Sequence, residues 1–421
     1  MCSIFGWMGK GIKTGEKLYL IKKATERGRD GFGLEADGKT YRGLDSNDIP
    51  IDIYKAENLV GNFRATPTTE EESNIDNLQP YAGIVHNGII ANDKEFGDFP
   101  IDSMCLPTIL GHQHYRTFEE LIGKLSKIKG SYALAYFDMA SLHLACNYKP
   151  IYYSHRKDGF MFASTPDMLP FCSTPMDAYS TMRVYHYGNE LKITKIPIYR
   201  HQNKKVAISA SSGLDSTVVA YILKNQGYEV TLVHFLYGCL AETKEQDRIY
   251  RIADQGGFGL QFVEMPKGVM AGSITDGVYH KNGIEGAEFA EDWVSARNLL
   301  MLSILTAFAE SNGFGYIAFG GNLEESGAFP DNEQEFGRRF NAILPYATQN
   351  GVKIELLQPL STFMKHEIVK IGTKLNVPFD LTWSCYDKKD HHCGKCGPCF
   401  MRKKAFERNG LIDPVFSMEV I

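Results

Sequence analysis

Apolar and polar positions change their pattern once along this chain. Up to about residue 195, short apolar runs of β type alternate with turn residues. Gly83–Val85, Ser131–Phe137, Leu142–Cys146, Ile151–Ser154 and Phe160–Ala163 read as strands separated by Gly, Asp and Asn. Glu16–Glu26 and Phe118–Lys127 carry helical spacing. This half predicts stacked antiparallel sheets with flanking helices. The polar run Tyr199–Lys205 (YRHQNKK) is the best boundary, giving expected domains at 1–198 and 199–421. Beyond it, strand Val206–Ser209, a Gly-containing turn, helix Thr217–Gln226 and strand Glu229–Phe235 form a parallel βαβ unit. Helices recur at Glu245–Asp254, Val294–Ser311 and Lys365–Leu375, and strands at Tyr316–Gly320 and Lys353–Leu357. The second half therefore predicts a doubly wound parallel α/β domain.

Composition narrows the class without changing that picture. The 421 residues are 43% hydrophobic and 23% charged, as in soluble globular proteins of two or three domains. No apolar run approaches the ~18 residues that span a bilayer, and no signal peptide precedes the second residue, which predicts a cytoplasmic chain with no membrane contact. Net charge of −5, from 45 basic and 50 acidic residues, creates no global field for nucleic acid. Lys204–Lys205, Lys388–Lys389 and Arg402–Lys404 read as solvated surface. Of nine cysteines, Cys105, Cys146, Cys172 and Cys239 are scattered singly and read as reduced core residues.

Cys2 follows Met1 in MCSIFGWMG. With Met1 removed, it carries a thiol and an α-amine, and an amine of reference pKa about 7.7–8.0 can act as the thiol's own base. Five segments accompany it in order: RGRDGFG, GNFRATPTT, NLQPYAGIVHNGII, IDSMCLPTIL and KGSYALAYFD. With these, the first half resembles class II glutamine amidotransferase domains, which are N-terminal-nucleophile hydrolases. The resemblance implies an αββα sandwich that binds L-glutamine. It implies that Cys2 is the nucleophile and that the Asn87 amide and Gly88 N–H form the oxyanion hole. Arg64 would clamp the glutamine α-carboxylate, Asp102 would pair with its α-amine, and Arg27 and Asp30 would flank the nucleophile. The family opens Met-Cys-Gly, whereas Ser3 stands here.

VAISASSGLDSTVVAYIL places a Ser- and Gly-rich turn between strand and helix, where backbone N–H groups and a helix start form an anion nest. No Lys follows, so it is not a Walker loop. The segment resembles the loop of ATP pyrophosphatases, which implies ATP as cosubstrate. Ser211, Gly213, Asp215 and Ser216 are the phosphate and Mg²⁺ candidates, with Ser212 where that family has Gly.

Cys385, Cys393, Cys396 and Cys399 form C-x7-C-x2-C-x2-C. Four thiols so spaced suit tetrahedral Zn²⁺ with no open position, hence a structural site. His391 and His392 read as solvent-facing. TWSCY, CGKCGPCFMRKKAF, EDWVSARNLLMLSIL and LQPLSTFMKHEIVKIG together resemble 7-cyano-7-deazaguanine synthases. Asp331 and Glu335 fall where that family has a Pro-Asp segment, and Trp293, Arg297 and Asn298 are candidates for holding the base. The whole chain resembles fusions of an amidotransferase domain with such a synthase, some of which make archaeosine. The implied activity is glutamine-dependent amidation of a 7-substituted 7-deazaguanine, free or within DNA or tRNA, giving the nitrile or the formamidine. A homodimer is a further expectation from the synthase relatives. Asparagine- or β-lactam-synthetase-like ligation, or a degenerate nucleic-acid-binding scaffold, are the alternatives.

Overall fold

The computed structural model describes all residues except 1, 66–73, 112–117, 139–140, 199–202, 267, 271, 278, 280, 284–291, 350–351, 388–389 and 418–421. The start of the boundary run (199–202), the end of GNFRATPTT (66–69) and the basic pair 388–389 therefore lie outside the described residues. The chain forms two compact units, Met1–Arg200 and His201–Ile421.

The first unit holds twelve strands: β1 (Ser3–Met8), β2 (Phe32–Ala36), β3 (Lys39–Gly43), β4 (Asn58–Phe63), β5 (Val85–Ile90), β6 (Gly130–Phe137), β7 (Ser141–Cys146), β8 (Tyr152–Arg156), β9 (Gly159–Ala163), β10 (Thr174–Pro175), β11 (Ser180–Tyr187) and β12 (Glu190–Pro197). They make a seven-stranded sheet, β10-β8-β9-β1-β4-β2-β3, and a five-stranded sheet, β12-β11-β7-β6-β5. Side chains alternate across each strand, so every strand serves two layers. Ile4 and Met8 of β1 meet Ala133 and Ala135 of β6 in the core between the sheets. Phe5 and Trp7 of β1 point the other way, onto Leu20 and Ala24 of helix α1 (Thr14–Thr25). Tyr132 and Leu134 of β6 pack on helices α2 (Leu106–Leu110) and α3 (Phe118–Leu125). The layering is α-β-β-α, as expected of an N-terminal-nucleophile hydrolase.

The second unit is a parallel sheet of β13 (Lys205–Ser209), β14 (Glu229–Leu236), β15 (Gly259–Glu264), β16 (Tyr316–Ala318) and β17 (Glu355–Leu357). The order β15-β14-β13-β16-β17 reverses direction beside β13, the topological switch at which open α/β sheets bind ligands. Its helices are α4 (Leu214–Asn225), α5 (Glu242–Gly256), α6 (Ser273–Asp276), α7 (Arg297–Ser311), α8 (Leu323–Ser326), α9 (Gln334–Ala347), α10 (Lys365–Lys374), α11 (Gly397–Glu407) and α12 (Pro414–Ser417). Val206 and Ile208 face a core shared with α4, α5, α10 and α11. Ala207 and Val233 face the opposite core, shared with α7 and α9. Helices on both faces make the unit doubly wound.

Several expected boundaries move. The strand read at Gly83–Val85 is β5, because Ala82 and Gly83 take φ of +48° and +81° and close a turn between Tyr81 and Ile84. Helix α4 starts at Leu214 rather than Thr217, which puts Asp215 and Ser216 in its first turn. Helix α7 starts at Arg297 rather than Val294, because Ala296 takes a left-handed φ of +49°. Cys172, read from the sequence as a core residue, is exposed in the connection before β10, unlike buried Cys105, Cys146 and Cys239. Among the described residues no helix is long and apolar enough to cross a membrane.

Candidate functional site

Cys2 immediately precedes β1, near the middle of the seven-stranded sheet. Its Sγ lies 3.8 Å from the Ala65 carbonyl, one residue beyond Arg64, and its own carbonyl accepts a 3.3 Å bond from Arg27 Nε. Ser3, where Gly was the family expectation, is fully buried and donates from its hydroxyl to the Ala24 carbonyl at 3.3 Å. The extra side chain is therefore accommodated and partnered. Asp30 joins this corner through its backbone N–H, which donates to Arg64 O at 3.1 Å, and the Arg64 side chain is buried.

Asn87 and Gly88 lie on β5, at the edge of the other sheet. Gly88 has φ +152°, and a Cβ there would lie 2.0 Å from Ser131 O, so the backbone admits only glycine. The Asn87 amide lies 3.4 Å from Ser164 Oγ, which itself accepts the Ile4 N–H at 2.9 Å. Asp102 accepts the Ile90 N–H at 2.7 Å on Oδ2 and the Ser103 N–H at 2.7 Å on Oδ1. It anchors the end of β5 and, as a carboxylate with about four acceptor positions, keeps capacity for a ligand. Asn62, His86, Ser103 and Ser164 were not read from the sequence as site residues. Asn62, His86 and Ser103 lie inside quoted motifs, but nothing local marks their roles.

The second cleft opens at the carboxyl ends of β13, β14 and β16. Ser211, Gly213, Asp215, Tyr237, Glu245, Arg297, Glu325 and Asn332 line it. Gly213 caps α4, and Ser216 Oγ and Thr217 Oγ1 donate back to its carbonyl at 3.3 and 2.8 Å. Ser212 sits at φ +60° with its hydroxyl buried and unpartnered. A left-handed non-Gly residue costs roughly 1–2 kcal/mol, which explains the family's glycine. Ser212→Gly is expected to raise stability by about 1 kcal/mol, the strain relief outweighing glycine's extra chain entropy. Denaturant unfolding checks this, and a destabilised variant would contradict it.

Lys365, like Tyr237, Glu245, Glu325 and Asn332, was not read from the sequence as a site residue. Its Nζ bonds Asp215 Oδ2 and Glu325 Oε1, each at 2.6 Å. Burial works to lower its pKa, but the two carboxylates override this and hold the ammonium protonated. Asp215 Oδ1 remains buried without a partner. That orphaned carboxylate oxygen is the kind of donor a hard divalent ion takes. Burial pushes Glu245 up to about 7.

An adjoining cleft shares Arg297, Glu325 and Asn332 and adds Asp292, Trp293, Phe329, Asp331, Lys365 and Tyr386. The Trp293 and Phe329 rings lie near-parallel at 16°, with centroids 6.3 Å apart. Asn298 hydrogen-bonds the Asp331 carboxylate, and Arg297 bonds the Tyr237 hydroxyl. Glu335 is not part of either lining: it pairs with Arg338 and Arg339 on the surface of α9, where those guanidinium groups lower its pKa.

The Sγ atoms of Cys385, Cys393, Cys396 and Cys399 all lie within 4.8 Å of one another. Tetrahedral Zn–S bonds of about 2.3 Å place sulfurs roughly 3.8 Å apart, so the set fits. Backbone N–H groups of Asp387 and Cys393 donate to Cys385 Sγ, each at 3.3 Å, and Cys396 N–H donates to Cys393 Sγ at 3.3 Å. Such bonds stabilise thiolates and orient them. His391 is exposed as expected, but His392 is not. His392 is buried against Trp383 at 4.4 Å and accepts the Ser384 N–H at 3.1 Å, so it supports the loop rather than facing solvent.

Fold and site together define a mixed α/β enzyme of two units, an α-β-β-α sandwich that opens on a cysteine and a doubly wound parallel sheet with a Ser- and Gly-rich loop at its switch point. The family model described as queuosine biosynthesis protein QueC matches residues 205–410. The 7-cyano-7-deazaguanine synthase of Sulfolobus acidocaldarius is 39% identical, with 99% of each chain covered. That of Saccharolobus solfataricus is 40% identical, again over 99% of each. The chain belongs to the 7-cyano-7-deazaguanine synthase family. Among solved structures, the glutamine phosphoribosylpyrophosphate amidotransferase of B. subtilis aligns over 95% of this chain and 96% of its own, at 14% identity and a TM-score of 0.39.

Proposed function

We propose that this enzyme converts 7-carboxy-7-deazaguanine into the 7-cyano base with ATP, taking its nitrogen from the side-chain amide of L-glutamine. What supports this above all is one pairing within a chain related end to end to synthases: Cys2 beside the strand that carries Asn87 in one half, and the Ser211–Ser216 loop at strand ends in the other.

Cys2 attacks the amide carbon of glutamine. The Asn87 amide and Gly88 N–H receive the developing oxyanion, and Arg64 and Asp102 hold the α-carboxylate and α-amine. Collapse expels ammonia and leaves a glutamyl thioester, which water hydrolyses to glutamate and free thiol, with the α-amine of Cys2 as base. Arg27 and Asp30 fix the nucleophile's backbone.

In the second half, the N–H groups at the start of α4, with Ser211, Gly213 and Ser216, hold the ATP phosphates. Asp215 Oδ1 would hold Mg²⁺, which neutralises phosphate charge when bound. The base lies against Trp293, with Asp331, oriented by Asn298, accepting from its guanine-type N–H edge and Arg297 facing the 7-carboxylate. A carboxylate oxygen attacks the α-phosphorus and pyrophosphate leaves. Ammonia then displaces AMP from the acyl adenylate to give the amide. A second ATP adenylates the amide oxygen with release of pyrophosphate, and loss of AMP, which carries off that oxygen, and of both amide protons gives the nitrile. Zn²⁺ in the four-cysteine site would be structural. The relatives' name favours the nitrile over the formamidine.

The test uses amide-¹⁵N glutamine, ATP and 7-carboxy-7-deazaguanine with the full chain. The expected product is a ¹⁵N-labelled nitrile, with twice as much AMP as nitrile. A formamidine made from added nitrile, free or in DNA or tRNA, would support the archaeosine-type outcome instead. Absence of label in any product would overturn the glutamine step.

A further inference from the structure

We propose that Asn62 and Ser164 are positioning residues that fix the gap between the Cys2 thiol and the Asn87–Gly88 oxyanion donors. This rests on the reading of Cys2 as a glutamine-attacking nucleophile.

The two parts of that machinery belong to different sheets. Cys2 leads into β1 of the seven-stranded sheet, and Asn87 and Gly88 lie on β5 of the five-stranded one. β1 pairs with β4 and β9, and β5 pairs with β6, so β1 and β5 share no ladder. Facing sheets are held mainly by apolar packing across about 10 Å, which is non-directional and sets their relative position loosely. An oxyanion hole needs more: its donors must lie about 2.7–3.1 Å from the oxyanion, and a 1 Å error can cost about 10²-fold in rate.

Two enclosed polar side chains supply the missing direction. Asn62, 1% exposed, donates from its single Nδ2 to Ser3 O at 3.1 Å and to His86 O at 3.2 Å. Those carbonyls belong to the residue after the nucleophile and the residue before Asn87. Ser164, 0% exposed, accepts the Ile4 N–H at 2.9 Å and lies 3.4 Å from the Asn87 amide. Each side chain therefore touches both strands, one through the backbone and one through the oxyanion donor itself.

β5 is braced behind the clasp. The His86 N–H donates to Gln79 Oε1 at 2.5 Å, and its Nδ1 lies 2.8 Å from Ser103 Oγ. Ser103 Oγ is in turn 3.2 Å from Asp102. Any movement of the nucleophile strand is thus resisted at the clasp rather than absorbed by bending of β5. An amide with two hydrogens and a hydroxyl that both donates and accepts are suited to spanning two strands, whereas an aliphatic of equal size would fill the space without setting the distance.

The experiment compares the full chain with Asn62→Leu and Ser164→Ala. Glutamate release should fall about 10²-fold in kcat for Asn62→Leu and about tenfold for Ser164→Ala, with KM for glutamine within about threefold. Nitrile formation driven by ammonium chloride should stay within about twofold of native, and iodoacetamide should alkylate Cys2 at the native rate. A purely structural role would instead lower stability while leaving the kcat of the folded protein intact. Should Asn62→Leu fail to fold, the near-isosteric Ser164→Ala decides. Native kcat in Ser164→Ala overturns the clasp alone. A native chain that releases no glutamate overturns the reading of Cys2, and the clasp with it.

Discussion

Replacing Cys2 with Ala is expected to lower glutamine-driven nitrile formation by about 10⁴-fold or more, the scale on which an essential nucleophile acts. The same variant should keep its turnover with ammonium chloride, because the clefts proposed for ATP and the base contain no residue of the proposed glutamine site. The substitution is structurally mild. The thiol is half-exposed, and its hydrogen bond is a 3.8 Å contact to Ala65 O. The Arg27 bond goes to the Cys2 backbone carbonyl and survives. Lost activity therefore reads as lost chemistry rather than lost fold. Glutamate release, ammonium rescue and the intact mass of the chain are the three readouts. The mass must show Met1 removed, since the α-amine is the proposed base. Glutamine turnover that persisted in Cys2→Ala would remove the first half of the scheme.

The fold was legible where local pattern and tertiary demand agree. β13, α4 and β14 were readable because a buried parallel strand, a Gly-marked turn and an amphipathic helix follow each other closely. β1 was not, because SIFGWM is buried on both faces and shows no alternation. The β11–β12 hairpin was not read, although Met182 and Val184, which face the core, alternate with polar Thr181 and Arg183 as a half-buried strand does. The motifs located Cys2, the Asn87–Gly88 pair, the Ser211–Ser216 loop and the four cysteines. The residues that hold those groups in place were invisible. Lys365 meets Asp215 across 150 positions of sequence, and Asn62 meets His86 across two sheets. Such partners are chosen by topology, and a single sequence carries no local sign of them. The two departures from family glycine resolve differently for a physical reason. Ser3 finds an acceptor in Ala24 O, whereas Ser212 is left-handed with an orphaned hydroxyl. Only the second carries a cost.

Asp413→Ala is expected to destabilise the second unit by about 3–5 kcal/mol, because it strands a buried guanidinium. Arg402 is 1% exposed and follows the cysteine cluster on α11. Its Nε and one Nη grip Asp413 in bidentate fashion at 2.8 and 3.0 Å. The remaining donors reach Thr382 Oγ1 at 2.6 Å and Phe379 O at 2.7 Å. One side chain therefore ties α11 and the segment after it to the Thr382–Tyr386 stretch, which supplies Cys385 of the four-cysteine cluster and Tyr386 of the cleft proposed for the base. Without Asp413 the charge has no counter-ion and no route to water. Arg402→Met should cost less, although it orphans the Phe379 carbonyl and the Asp413 carboxylate, whose side chain is only 3% exposed, because a buried carboxyl can take up a proton and become neutral whereas a guanidinium cannot give one up. That ordering, the carboxylate deletion worse than the cation deletion, separates a stranded charge from simple loss of packing. Denaturant unfolding of both variants measures it. A loss below about 1 kcal/mol in Asp413→Ala would mean that water reaches the guanidinium, and that the pair is no more than a surface ion pair.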